Sequence, residues 1–388
     1  MKSGKKTLIT GVVSVLTAAT VLAGCGKPDG TTTVLKINDE EINLGEAAFY
    51  LNYTMAEESA WLDMYGINWD DTYQTATSSQ DAVTFGDSLK DSIKDNIVDA
   101  VVLKQHADDY DVTIPDDLQS QIDEAAQYTY EENQDAMDEM GTSEDDIKNV
   151  LELITIQQLM YDPIVADADV EVTDEQAAEC TVTYARVALT TTDTSTYTVT
   201  EKTDDEKAQL KTEMQQLLDE ALASDDPASF DFSTAAQEID SDNIAVSTSS
   251  YNDDNKSLPD EVTEAAAELS DGEVYTELID TGDYYYIVRM DATYDEEASA
   301  SNKESLISEQ EQQYYQDTLD GWVNDSTVET EKAWDTLEVT DQHGYSVKTV
   351  STSTDSSVTS GSESTTSEST TSESTASEST TSAVSSAS

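Results

Sequence analysis

The chain of 388 residues holds two cysteines, two histidines, four phenylalanines and 18 basic residues against 83 acidic ones. Each shortage excludes something. With Cys25 at the end of an N-terminal apolar segment and Cys180 far from it, no internal disulfide is expected, so the fold must rest on its core. His106 and His343 are the whole histidine complement, and no Cys/His cluster is present, which excludes a zinc site; no metal and no cofactor is expected. A net charge of −65 argues against nucleic acid as a partner and against a surface docked on anionic lipid headgroups. It fits a solvated, soluble surface. No hydrolytic motif, phosphate loop or series of βαβ units is visible. The one long apolar stretch, 8–23, is short and interrupted by Thr, Ser and Gly, so it is not a spanning helix.

Residues 1–24 read instead as a signal peptide. Lys2, Lys5 and Lys6 form its positive start and 8–23 its apolar region. Leu22-Ala23-Gly24-Cys25 resembles a bacterial lipobox. That resemblance implies a diacylglyceryl group on the Cys25 thiol, cleavage before Cys25, and a working part outside the cytoplasm, lipid-anchored to the cell membrane. Two acyl chains hold where one is marginal. Cys180 opens an alternating apolar run and reads as a small buried residue rather than a reactive thiol.

Residues 25–33 form a tether. The segment 34–165 is helical after a short strand at 34–38 turned by Asp39 and Glu40. Four helices are predicted there: from 42 to about 65, 85–110, 115 to about 137, and one opened by Ser143 with Asp146 and ending near Pro163. Leu89, Ile93, Ile97 and Val101 make the clearest apolar stripe. His106 continues it and reads as a packed residue. Trp69 pins the loop after the first helix. Beyond Pro163 the period shifts to two. Residues 166–295 predict an α+β domain with a small sheet: strands at 181–189, 273–279 and 284–290, and helices at 204–223, 227–237 and 259–269. Residues 296–341 return to helix at 298–323, with Leu306, Ile307, Tyr314, Leu319 and Trp322 as apolar positions that pack on the helical unit, then close in a short strand or coil. Residues 342–388 carry a Ser/Thr/Glu repeat with no aromatic after Tyr345 and predict a disordered tail.

This order of parts resembles the parvulin-type extracytoplasmic foldase lipoproteins, the PrsA-like proteins related to SurA-like chaperones. The residues that carry the resemblance are the opening Val34-Leu35-Lys36-Ile37-Asn38 with Glu40 to Tyr50, Phe232 to Ala236, Leu258-Pro259-Asp260-Glu261-Val262, Leu269 to Val274, and Tyr284 to Arg289. It implies an α+β fold: a helical SurA-like chaperone body, an inserted parvulin-like domain and a returning C-terminal helix. It also implies an activity, prolyl cis–trans isomerisation, and a partner class, unfolded secreted proteins.

The departures bear on that activity. Where the family's first strand reads A-R-H-I-L, this chain has Ala185-Arg186-Val187-Ala188-Leu189; where its last reads G-Y-H-I-I, Tyr286 takes the histidine position. The family's G-G-D-L-G segment is replaced by 247–256. Asp242 falls near the family's Asp/Cys position. Isomerisation needs no nucleophile or metal, only relief of the ~18–20 kcal/mol amide barrier by gripping the proline and favouring the twisted amide. Tyr286 offers one hydrogen bond and Val187 none. The expectation is therefore a chaperone with weak or lost isomerase activity. Two alternatives stand beside it: an active isomerase rebuilt around Asp242 and Tyr286, and a ligand-binding or structural surface lipoprotein. The oligomeric state is open.

Overall fold

Asn38 turns the chain back before the first helix starts. The computed structural model describes residues 15–18, 28–72, 83–194, 196, 198–339 and 345–348; Cys25, His343 and the Ser/Thr/Glu repeat lie outside them. A short strand, β1 (Val15–Ala18), comes first. β2 (Thr33–Ile37) and β3 (Glu40–Asn43) then pair antiparallel, with Asn38 at φ 53°, a left-handed conformation that asparagine tolerates. The sequence predicts helix from 42. Instead α1 (Leu44–Tyr65) waits for Asn43, which caps it.

The body continues with α2 (Phe85–Gln105), a 3₁₀ turn (Ala107–Tyr110), α3 (Asp116–Glu132), α4 (Gln134–Met140) and α5 (Glu144–Ala166). The predicted third helix is thus two, broken at Asn133. The last runs past Pro163, because Ile164 beyond it is fully buried in the body's core. That core gathers Leu35, Phe49, Leu51, Ile93, Val101, Met137, Ile147 and Met160.

Two capping boxes lock the body's helices together. In α1, Asn43 accepts from the Glu46 N–H while the Glu46 carboxylate accepts from the Asn43 N–H; in α5, Ser143 and Asp146 do the same. The boxes also bond each other. Asn43 Nδ2 donates to Asp146 Oδ1 at 2.7 Å, and Asn149 Nδ2 donates to Glu46 Oε1 at 2.7 Å. Glu46 and Asp146 are both buried. Gly45 lets the two helix starts approach this closely: a Cβ there would lie 2.5 Å from Asp146 Oδ2.

After α6 (Asp174–Ala177) the chain enters a four-stranded antiparallel sheet. β4 (Cys180–Ala188) is followed by a hairpin, β5 (Thr190–Thr192) with β6 (Val199–Glu201), then α7 (Asp204–Ala223), a 3₁₀ turn (Pro227–Ser229), α8 (Phe232–Asp240), β7 (Ala245–Tyr251), α9 (Asp260–Ala266), β8 (Ile279–Asp280) and β9 (Tyr284–Ala292). The sheet order is β7-β4-β9-β8. The strand predicted at 273–279 is a correction: only a Val274–Arg289 bridge and β8 form there. β7 lies in the Ser/Thr stretch that was not predicted as a strand.

α10 (Glu296–Asp325) leads back to the body and serves both parts. Its first turns touch α6 and β4. Ser299 Oγ accepts from the Glu179 N–H, and Lys303 pairs with Asp174. Its last turns lie on α2 and α5: Leu319 is buried in the body's core, the Trp322 ring stacks on His106 at 4.1 Å, and Tyr315 meets Tyr161 at 5.1 Å. His106 is therefore a packing residue. Of the predicted apolar positions, Leu306 and Ile307 are half-buried and Tyr314 is exposed. β10 (Val328–Thr330) then pairs with β2, giving the order β10-β2-β3, and Trp334 in a 3₁₀ turn (Lys332–Thr336) seals the core. β11 (Tyr345–Lys348), inside the stretch predicted as tail, pairs with β1.

Candidate functional site

Alternation along β4 decides where the predicted site residues point. Val187 pairs with Tyr285 of β9, and Arg186 pairs with Tyr286. Directly opposed residues share a face, and neighbours along a strand do not. Val187 therefore faces α7 and α8, 1% exposed, among Ala185, Ile287, Met214 and Phe232. Tyr286 faces the other way, 2% exposed, among Val182, Val288, Leu258 and Val262 of the α9 side. The sheet separates the two positions where the resemblance implies paired histidines. Asp242 is exposed in the turn after α8, its N–H donating to Asp240 Oδ1 at 3.0 Å. Neither structure nor register brings it into a pair with Val187.

The partner Tyr286 does have is Arg186, which the sequence did not single out. The Arg186 guanidinium sits beside the Tyr286 side chain, and that proximity raises its pKa. It also lies over the Tyr284 ring, 5.3 Å from its centroid. Tyr184 and Tyr284 flank Tyr286, with ring centroids 5.9 and 5.8 Å away. Opposite Tyr184 on β7 sits Ser247. The face is thus three tyrosines around one half-buried arginine, with Leu258 and Val262 as apolar neighbours. Chemically it is a donor array. It can donate hydrogen bonds and pack apolar groups, and none of its residues is a histidine. The signal that would have found Arg186 was in the sequence: one step of strand alternation from Val187.

At the far end of the same face a cleft of about 610 Å³ opens beside Cys180, Tyr251, Asp254, Lys256 and Glu264. The Cys180 thiol donates to the Tyr251 carbonyl at 3.3 Å, and burial pushes its pKa up. Such a thiol is poorly nucleophilic, which agrees with reading Cys180 as a packing residue. A hollow of about 680 Å³ along α7, between Ala208 and Ala223, is lined by that helix alone and brings no chemistry together. Among the described residues no group of three or more His, Cys, Asp or Glu is arranged to hold a metal ion, and no helix is long and apolar enough to cross a membrane.

The comparisons with known proteins fall on this part of the chain and on its overall order. Among curated proteins none matches significantly. Of solved structures, a SurA-like chaperone of Campylobacter jejuni is similar at 9% identity, covering 77% of this chain and 99% of its own, with a TM-score of 0.26. The foldase protein PrsA of Streptococcus pneumoniae is similar at 15% identity, over 67% and 96%, with a TM-score of 0.27. The peptidylprolyl isomerase PrsA of Bacillus cereus is similar at 19% identity, over 66% and 91%, also with a TM-score of 0.27. Scores this low establish no common arrangement of the whole chain. The family model of the PPIC-type PPIASE domain matches residues 185–300, less than half of the chain, a stretch that holds most of the sheet and its covering helices.

Proposed function

We propose that this chain is an extracytoplasmic chaperone for unfolded secreted proteins, lipid-anchored through Cys25, whose parvulin-like domain isomerises prolyl bonds weakly or not at all. The reading divides the chain into a helical body, 34–165 with 296–341, and an inserted domain, 166–295. The observation that carries it is the combination of a PPIC-type domain match with a β4–β9 register that buries Val187 and Tyr286 on opposite faces. Chaperone action needs no histidine pair. It needs surfaces that hold apolar and aromatic segments, and tyrosine, of which the chain has 19, tolerates both burial and water.

Two measurements test it: cis–trans exchange of a short X-Pro peptide, and suppression of aggregation of an unfolded secreted protein. Suppression with little or no catalysis is expected. Strong catalysis that collapses in Arg186→Ala or Tyr286→Phe would favour the second reading, an isomerase rebuilt on the Arg186–Tyr286 face. That reading draws on the donor array described above; Asp242→Ala tests whether Asp242 takes part. Absence of both activities would favour a ligand-binding or structural lipoprotein. The anchor is tested by Cys25→Ser and cell fractionation: release from the membrane with altered processing is expected, and unchanged membrane association would overturn it.

A further inference from the structure

The C-terminal turns of α1 carry three large apolar side chains that are exposed among the described residues. Trp61, Met64 and Tyr65 are 54%, 69% and 60% exposed. Their i, i+3, i+4 spacing puts them on one face of the helix, and the Trp61 and Tyr65 rings touch at 4.9 Å between centroids. The other side of the same turns is fixed. Leu62 is buried, Trp69 folds back so that its indole N–H donates to Ser59 Oγ at 3.3 Å, and the left-handed Gly66 closes the helix through its N–H to Asp63 O. The aromatic face is thus held rigid before any partner arrives, which spares the ordering cost of binding.

Charge selects the partner. Glu57 and Glu58 stand one turn earlier on the same face of the helix, and Asp63, Asp70 and Asp71 follow within a few residues, all at least partly open to solvent. From Ile37 to Leu89 the sequence has no lysine, arginine or histidine. Glu58 shows the crowding: partial burial and the neighbouring Glu57 raise its pKa.

We propose that the last two turns of α1 are a docking surface for cationic unfolded polypeptide, segments in which lysine or arginine stands among apolar residues. This rests on the chaperone reading and names its client chemistry. The apolar residues of the client cover Met64 and Tyr65, its cations meet Glu57 and Glu58, and an arginine or lysine lies over the Trp61 ring.

The test uses the purified full chain and two synthetic unfolded peptides of equal apolar content, one rich in Lys and Arg, the other in Asp and Glu. Isothermal titration calorimetry of each peptide into the chain measures binding, and reads the variants as it reads the unaltered protein. The cationic peptide should bind, the anionic one should not, and raising salt should weaken binding. Trp61→Ala with Tyr65→Ala should weaken it about tenfold or more, and Trp61→Phe should keep most of it. Because these side chains are exposed, unchanged circular dichroism checks that the variants fold. Equal binding by the double variant, or equal binding of both peptides, overturns the proposal. So does concentration-dependent self-association that the variant abolishes, which would make the face a contact between copies. Aggregation suppression is measured in parallel. If the variant still suppresses fully, the chaperone reading stands and this surface falls; if the unaltered chain never suppresses, the chaperone reading falls on its own.

Discussion

Arg186 and Val187 differ by one position and by an entire environment. Val187→His would restore the residue that the family resemblance implies, but would place an imidazole in the closed core beneath α7 and α8. Burying an unpaired polar ring there should cost about 2–3 kcal/mol and leave prolyl exchange unchanged; urea unfolding and the peptide assay check the two halves. A second residue-scale prediction concerns Asp99 on α2. Its half-buried carboxyl is pushed up to about 6 by burial, then by Asp95 and by Asp320 of α10. A folded-state pKa above the unfolded value means the group favours the fold most below about pH 4 and loses that contribution as pH rises through about 6. Asp99→Asn should therefore stabilise the protein at pH 7 by about 1 kcal/mol, the full shift being discounted because solvent still reaches the carboxyl. It should also flatten the pH 4–6 part of a denaturation series, the window between the unfolded and folded pKa; an unchanged slope would refute it. At this scale the sequence showed which residue types were missing but not which way they pointed. Register across β4 and β9 is fixed by contacts about a hundred residues apart, as Arg186–Tyr286 illustrates.

Between elements, the linked capping boxes of α1 and α5 invite a double-mutant cycle. Asn43→Ala and Asp146→Ala should each cost about 1–2 kcal/mol as lost caps. Their sum should miss the double variant by about 0.5 kcal/mol or more, because each also breaks the Asn43–Asp146 bond. Additivity in thermal unfolding would show that the bridge contributes nothing. Leu319→Ala on α10 should cost about 2–4 kcal/mol, since its side chain fills the body's core. Long helices were legible from their stripes: 204–223 was predicted to the residue, and 85–110 and 298–323 within a few positions. The Ser143–Asp146 box was legible too. What escaped were elements defined by partners. β2 and its turn at Asp39 and Glu40 were legible, but β3 is too short to show a period and is a strand by its pairing with β2. β7 is rich in Ser and Thr, and its pairing with β4 makes it a strand. The alternation at 273–279 was read as a strand, but only single bridges reach it.

For the whole molecule, 83 acidic side chains against 18 basic ones leave the folded state repelling itself. Most of the ion pairs are exposed, such as Lys36–Glu41 and Lys148–Asp123, and hold little. Added salt should thus raise the melting temperature rather than lower it, as a thermal scan from low to high sodium chloride would record; a falling midpoint would mean that attractive pairs dominate. The division into a helical body and an inserted domain was legible from the switch of period after Pro163, but the closure of the body was not. β2 lies between β3 and β10, and the Thr327 N–H donates to the Asn38 side chain across 289 positions of sequence. That closure sets a clock. A chain released N-terminus first has β3 beside β2 almost at once, yet the other edge of β2 stays open until nearly everything else has emerged. The body that would shelter other unfolded chains must itself wait, half-built and in need of shelter, for its own last strand.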